Sequence, residues 1–251
     1  MSKSKKAKIT GGCASCNGIE NFYETMSDEF KDPILPNPNL AEHNFNIPFR
    51  CVVVAPSGSG KTTFTANLIK KFCMGRGTFQ QITIICGDES EPIYKMLKAK
   101  SDQIIIKEGL HNLPPLSKVD KDFATLVIID DQQNKKDQQR VEEYYIACRK
   151  KNVSIMYLAQ NYYRIPLVCR NNCSYCVILK MDACAREIKA IMAEKAGGLS
   201  KEQLLNMYDY ATKEKFSPLI IDVESRDKTN KFRKGFLEYL NPDNFGEPDR
   251  V

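Results

Sequence analysis

The chain has 251 residues, 42% of them apolar and 27% charged, the make-up of one large soluble α/β domain with tails. No apolar run reaches the roughly 18–20 residues needed to span a bilayer. The start, Met1-Ser2-Lys3-Ser4-Lys5-Lys6, lacks the apolar stretch of a signal peptide, so a cytosolic or nuclear protein is expected and a secreted one is not. A net charge of +6, from 37 basic and 31 acidic residues, suits a polyanionic partner without identifying one.

Residues 1–45 are polar, broken by Pro33, Pro36 and Pro38, and read as a flexible arm with one short helical stretch between Ile19 and Phe30. Order is expected from Asn46 onward. Apolar runs predict strands over Cys51–Ala55, Ile82–Cys86, Gln103–Ile106, Leu126–Asp130, Val153–Leu158 and Cys176–Lys180. Between them, helical patterns cover Thr62–Phe72, Pro92–Ala99, Asp137–Lys151, Ala185–Lys195 and Lys201–Ala211. Strands this rich in Val and Ile are buried on both faces, so the alternation predicts a largely parallel sheet between helical layers. The end differs. Leu219–Glu224, a polar turn and Lys231–Leu240 predict an antiparallel hairpin, dividing the chain into an arm (1–45), a core domain (46–224) and a hairpin strand with tail (225–251).

The first strand runs into Ala55-Pro56-Ser57-Gly58-Ser59-Gly60-Lys61-Thr62-Thr63, a phosphate-binding loop leading into a helix. Glycines at 58 and 60 let successive N–H groups turn inward on anionic oxygens, and the helix start adds its positive end. Lys61 is expected at the β- and γ-phosphates of ATP, with the Thr62 hydroxyl on Mg²⁺. Ala55 replaces the first Gly of the pattern; it ends the strand, where a small residue suffices. A chance Gly/Ser turn is the competing reading, and the Val run before it argues against that.

Leu126-Val127-Ile128-Ile129 ends in two carboxylates, and a strand of this kind holds Asp130 at its C-terminal edge, where it would reach Mg²⁺. Asp131 is the candidate base for an attacking water; the alternative is that both acids merely cap the next segment. Another apolar strand ends in Gln160, placed to sense the γ-phosphate or orient the water. Ten cysteines include Cys13/Cys16 and Cys173/Cys176, each pair with half of a zinc-site spacing. Buried or solvated thiols in a reducing compartment are the reading preferred over a shared zinc site.

The loop Ala55–Thr62, Ile128-Ile129-Asp130-Asp131, and Tyr157-Leu158-Ala159-Gln160-Asn161-Tyr162-Tyr163-Arg164-Ile165-Pro166 followed by Arg170-Asn171 together resemble the genome-packaging ATPases of large DNA viruses, poxviruses and virophages, in the FtsK–HerA superfamily. The resemblance covers roughly residues 46–224. It implies a three-layer αβα P-loop NTPase fold of the RecA (additional-strand) type, with Lys61 and Thr62 on nucleotide and metal, Asp130 as metal acid, Asp131 as catalytic acid and Gln160 as sensor. It further implies a homo-oligomeric ring that hydrolyses ATP and moves double-stranded DNA into a capsid, working in the host cytoplasm or carried in the virion. An arginine acting on the neighbouring subunit's γ-phosphate is expected, with Arg170 preferred over Arg149 and Arg164. The basic stretch Gln132–Lys136 is a candidate DNA contact. Two rivals remain: a small-molecule or nucleotide kinase, and a non-catalytic, nucleotide-gated assembly factor.

Overall fold

The computed structural model describes residues 21–31, 34–181, 185–195 and 197–246. It divides into a short unit ending at Ile34 and a main unit from Leu35 on. In the short unit, α1 (Phe22–Thr25) begins where the Asn21 side chain accepts from Tyr23 N, and a 3-10 turn covers Asp28–Phe30. The helical stretch expected there is thus cut to a single turn.

In the main unit the order is α2 (Leu40–His43), β1 (Arg50–Val54), α3 (Lys61–Phe72), β2 (Gln81–Cys86), α4 (Pro92–Lys100), β3 (Ile104–Glu108) and β4 (Thr125–Asp130). There follow α5 (Gln138–Ala147), β5 (Val153–Ala159), α6 (Leu167–Asn172), β6 (Tyr175–Ile178), α7 (Ala185–Lys195), α8 (Lys201–Ala211), β7 (Leu219–Asp222), α9 (Lys228–Lys231), β8 (Phe232–Lys234) and β9 (Glu238–Tyr239). Among the described residues the strands form a nine-stranded sheet, ordered β3-β2-β4-β5-β1-β6-β7-β8-β9. The first six pair in parallel, and β7, β8 and β9 continue the sheet antiparallel.

Period-two alternation explains the layers. Val53, Ile84, Ile128 and Leu158 point to one face and pack with Phe64 and Leu68 of α3 and Tyr94 of α4. Val52, Ile129, Tyr157 and Cys176 point to the other and meet Tyr144 and Tyr145 of α5, Ile191 of α7 and Met207 of α8. The three-layer αβα arrangement is the one expected.

The main unit takes in residues 35–45, which the sequence assigns to the arm. His43 and Phe45 are fully buried, Asn44 Nδ2 donates to Phe236 O at 3.1 Å, and Arg233 of β8 donates to His43 O at 3.4 Å. The Arg233 guanidinium also lies against the rings of Phe45, Tyr175 and Tyr239. Segments about 190 residues apart in the chain thus close one body, and the hairpin belongs to the same sheet as the core. Two helical details depart from the pattern read in the sequence. The helix expected over Asp137–Lys151 ends at Ala147, and Cys148–Lys151 tightens into a 3-10 turn stopped by left-handed Asn152. The short α6, behind Pro166, has no start signal beyond that proline. No helix among the described residues is long and apolar enough to cross a membrane.

Candidate active site

The strand order places the site. β5 lies between the loop-bearing β1 and the acid-bearing β4, so the C-terminal ends of all three open on one cleft. That cleft has a volume of about 720 Å³, and the residues lining it include Gly58, Gly60, Lys61, Thr62, Thr63, Asp130, Asp131 and Gln160. Three separated stretches of sequence thus converge as expected.

The loop itself turns on Gly58 (φ 77°) and Gly60 (φ 95°), left-handed positions that a side chain disfavours. Ala55 is buried and still pairs with β5 through its N–H to Ala159 O at 3.1 Å, which is why the first Gly of the pattern is dispensable. Its side chain is not in the cleft wall. The Lys61 ammonium folds back onto its own loop, donating to Ala55 O at 2.7 Å and Pro56 O at 3.0 Å. Burial lowers its pKa, while Asp130 and Asp131 nearby pull the other way. A phosphate oxygen would offer this ammonium a full negative charge in place of two carbonyls.

Asp130 ends β4 at 8% exposure, and its Oδ2 accepts from the Tyr94 hydroxyl of α4. Burial raises its pKa, opposed by the Tyr94 hydrogen bond and Lys61, and Asp131 raises it further. Tyr94, itself buried, had no signal in the sequence; its partner lies 36 positions on. Tyr94→Phe should cost about 1.5–3 kcal/mol of unfolding free energy, the range for a hydrogen bond to a charged group. Denaturant titration without nucleotide reads this, and an unchanged midpoint would mean that water replaces the hydroxyl at no cost.

Asp131 has a left-handed backbone (φ 52°), and its Oδ2 accepts from Gln160 Nε2 at 2.7 Å. The Gln160 N–H in turn donates to Gln133 Oε1 at 2.8 Å. The end of β5 is therefore bonded both to the candidate base and to the loop carrying Lys135 and Lys136. Buried Gln132 anchors that loop through Nε2 to Asp130 O at 3.1 Å. Asp88 and Glu91, on the β2–α4 connection, also line the cleft and were not singled out in the sequence.

A magnesium ion fits the donor set. Thr62 and Asp130 supply hard oxygens, and Mg²⁺ characteristically takes one or two carboxylates plus phosphate oxygens. Among the described residues no three His, Cys, Asp or Glu side chains stand close enough to hold a metal alone, so an ion here would be shared with the phosphates.

The arginines lie elsewhere. Arg170 Nη1 donates to Glu194 Oε1 at 2.7 Å, its guanidinium sits 5.0 Å from the Tyr162 ring centroid, and its side chain is 12% exposed. It does not line the cleft. Arg149 pairs with Glu224 at 3.2 Å, and exposed Arg164 donates to Asn134 Oδ1. Cys169, Cys173 and Cys176 are buried free thiols, and the Cys13/Cys16 pair lies outside the described residues.

A parallel sheet with β5 inserted between the phosphate-loop strand and the acid strand, flanked by helices on both faces, defines a P-loop ATPase fold of the additional-strand type. Residues 40–225 match the family model described as Poxvirus A32 protein, and the chain belongs to that family. This bears out the packaging-ATPase resemblance of its motifs. Among solved structures, the genome packaging NTPase B204 from Sulfolobus turreted icosahedral virus 2, in complex with ATP-gammaS, superposes with a TM-score of 0.54 at 16% identity, covering 76% of this chain and 98% of that one. ATPases 2 and 3 of EssC from Geobacillus thermodenitrificans give 0.52 at 11% identity, covering 80% and 41%. At these identities the likeness is one of fold. No curated protein matches the chain at a significant level.

Proposed function

We propose that the protein is an ATP-hydrolysing motor, working as a ring of identical subunits in the host cytoplasm, that drives double-stranded DNA into a viral capsid. The observation that carries the reading is the convergence of Lys61, Asp130, Asp131 and Gln160 on one cleft of a chain in the poxvirus A32 family. B204, of like fold, is a genome packaging NTPase captured with ATP-gammaS, which supports ATP as the ligand here.

Each residue has a task that its geometry permits. Lys61 exchanges its two loop carbonyls for β- and γ-phosphate oxygens. Thr62 and Asp130 would hold Mg²⁺, which when bound neutralises charge on the phosphates. Asp131 takes a proton from the attacking water while Gln160 holds that water in line. Loss of the γ-phosphate then releases Gln160. Its bond to Gln133 gives the Lys135–Lys136 loop a direct reason to move, and that loop is the candidate DNA contact. Contacts of this kind go to phosphates and carry no sequence preference.

The kinase reading needs a lid bearing clustered arginines. The described residues from Gly197 to Gly246 instead form α8 and the strands that extend the sheet. Phosphate release, measured with and without duplex DNA and alongside the mass of the nucleotide-bound assembly, tests the proposal. Stimulation by DNA in an oligomer supports it. Phosphate transfer to a small acceptor would favour the kinase, and binding without turnover would favour the assembly factor.

A further inference from the structure

The aromatic side chain at 216 has no task in the core, yet the backbone is bent to hold it in place. It lies in the connection from α8 to β7, where Ser217 N donates to Glu214 O at 3.2 Å and closes a tight turn. Phe216 occupies a left-handed position in that turn (φ 68°), ordinarily given to Gly or Asn. A bulky residue there is a genuine backbone outlier, of the kind that clusters at ligand clamps. The ring is 40% exposed and belongs to neither apolar cluster flanking the sheet. It rests on the phosphate loop: a Cβ on Gly60 would collide with it.

Phe216 is also the ridge between two cavities. On one side is the cleft with the acids; on the other is a chamber of about 800 Å³ walled by Lys180, Asp209 and the Thr212–Phe216 segment, and the two share Ser57, Gly58 and Phe216. Direction follows from the sheet. Asp130, Asp131 and Gln160 come from β4 and β5, on one side of β1, whereas Lys180 follows β6 and the 212–218 segment precedes β7, on the other. A triphosphate whose γ end meets Asp131 and Gln160 therefore carries its nucleoside toward Phe216.

Given that the cleft binds ATP, we propose that this second chamber is the nucleobase subsite and that Phe216 is the face on which a purine stacks. One face of the ring is open enough for the exposed Lys215 ammonium to lie 4.9 Å from the centroid, and a planar base takes that place while Lys215 turns to solvent or phosphate. Stacking fixes the nucleoside end without reading its edge, so adenine and guanine nucleotides should bind within a few-fold of each other and pyrimidine nucleotides more weakly.

The test compares Mg²⁺–ATP with Mg²⁺–tripolyphosphate, which has the same phosphates and no base, by calorimetric titration of the full chain. Phe216→Ala should weaken ATP roughly ten- to a hundredfold, the range for loss of one base–aromatic stack, and leave tripolyphosphate unchanged. Phe216→Tyr should restore ATP affinity. The chain has no tryptophan, so Phe216→Trp introduces a lone fluorophore whose emission should change with ATP and not with tripolyphosphate. Equal weakening of both ligands in Phe216→Ala would make the ring a brace for Gly60, and unchanged ATP affinity would remove it from the site; either result overturns the proposal. Failure of the parent chain to bind either ligand would instead sink the ATPase reading, and the subsite with it.

Discussion

Replacing Lys61 by Ala should abolish phosphate release and weaken ATP binding by roughly ten- to a hundredfold, the loss of hydrogen bonds to a charged group. Two effects combine. Among the described residues lining the cleft Lys61 is the cation, so its removal takes from transition-state charge its expected protein partner. The same ammonium also ties Ala55 O and Pro56 O together, so its removal frees the loop before any nucleotide arrives. Lys61→Arg should not rescue turnover, because a planar fork is a poor substitute for a compact ammonium seated under two carbonyls. Calorimetric titration and a phosphate-release assay on the same preparation separate binding from chemistry. Turnover near the parent rate in Lys61→Ala would remove the cleft from consideration as an ATPase site.

Much of this site is legible in the chain because its parts are local. A Val run, two glycines and Lys-Thr are enough to place Lys61, and four apolar residues before two acids place Asp130 at a strand end. The insertion of β5 between β1 and β4 is what the resemblance to additional-strand ATPases implies, and it is the order observed. What was not legible depends on contacts between distant residues. Tyr94 reaches Asp130 only because α4 packs over the end of β4. Arg170 looked available at its motif spacing, yet α7 brings Glu194 against it, a pairing that needs the fold to exist first. Residues 35–45 look like an arm because their hydrogen-bond partners, Phe236 and Arg233, arrive near the end of the chain. Phe216 is the clearest case. No periodicity marks a left-handed phenylalanine, and its meaning lies in the loop beneath it.

Asp131→Asn should reduce hydrolysis by about a hundredfold or more, the usual cost of losing a general base, while Mg²⁺–ATP still binds. The substitution isolates chemistry for structural reasons. Asn accepts the left-handed backbone at this position as readily as Asp, and its Oδ1 can still accept from Gln160 Nε2, so the turn and the sensor stay in place. Removing one carboxylate beside Asp130 also lessens repulsion toward the phosphates. A subunit held with ATP should retain duplex DNA without moving it, with an affinity that falls steeply as salt rises. The same variant tests the arginine expected from a neighbouring subunit. Arg170, the residue its motif spacing favours, would have to abandon Glu194 and Tyr162, whereas exposed Arg164 need only release Asn134, so both are exchanged, Arg164 first. Arg164→Ala subunits mixed with Asp131→Asn subunits should then regain turnover wherever an intact Arg164 faces an intact Asp131. No recovery at any ratio would return the role to Arg149 or Arg170. Hydrolysis by Asp131→Asn alone at near the parent rate would make Asp131 a residue of the turn, and would leave Glu91 and Asp88, the other acids in the cleft wall, as the groups to test as base.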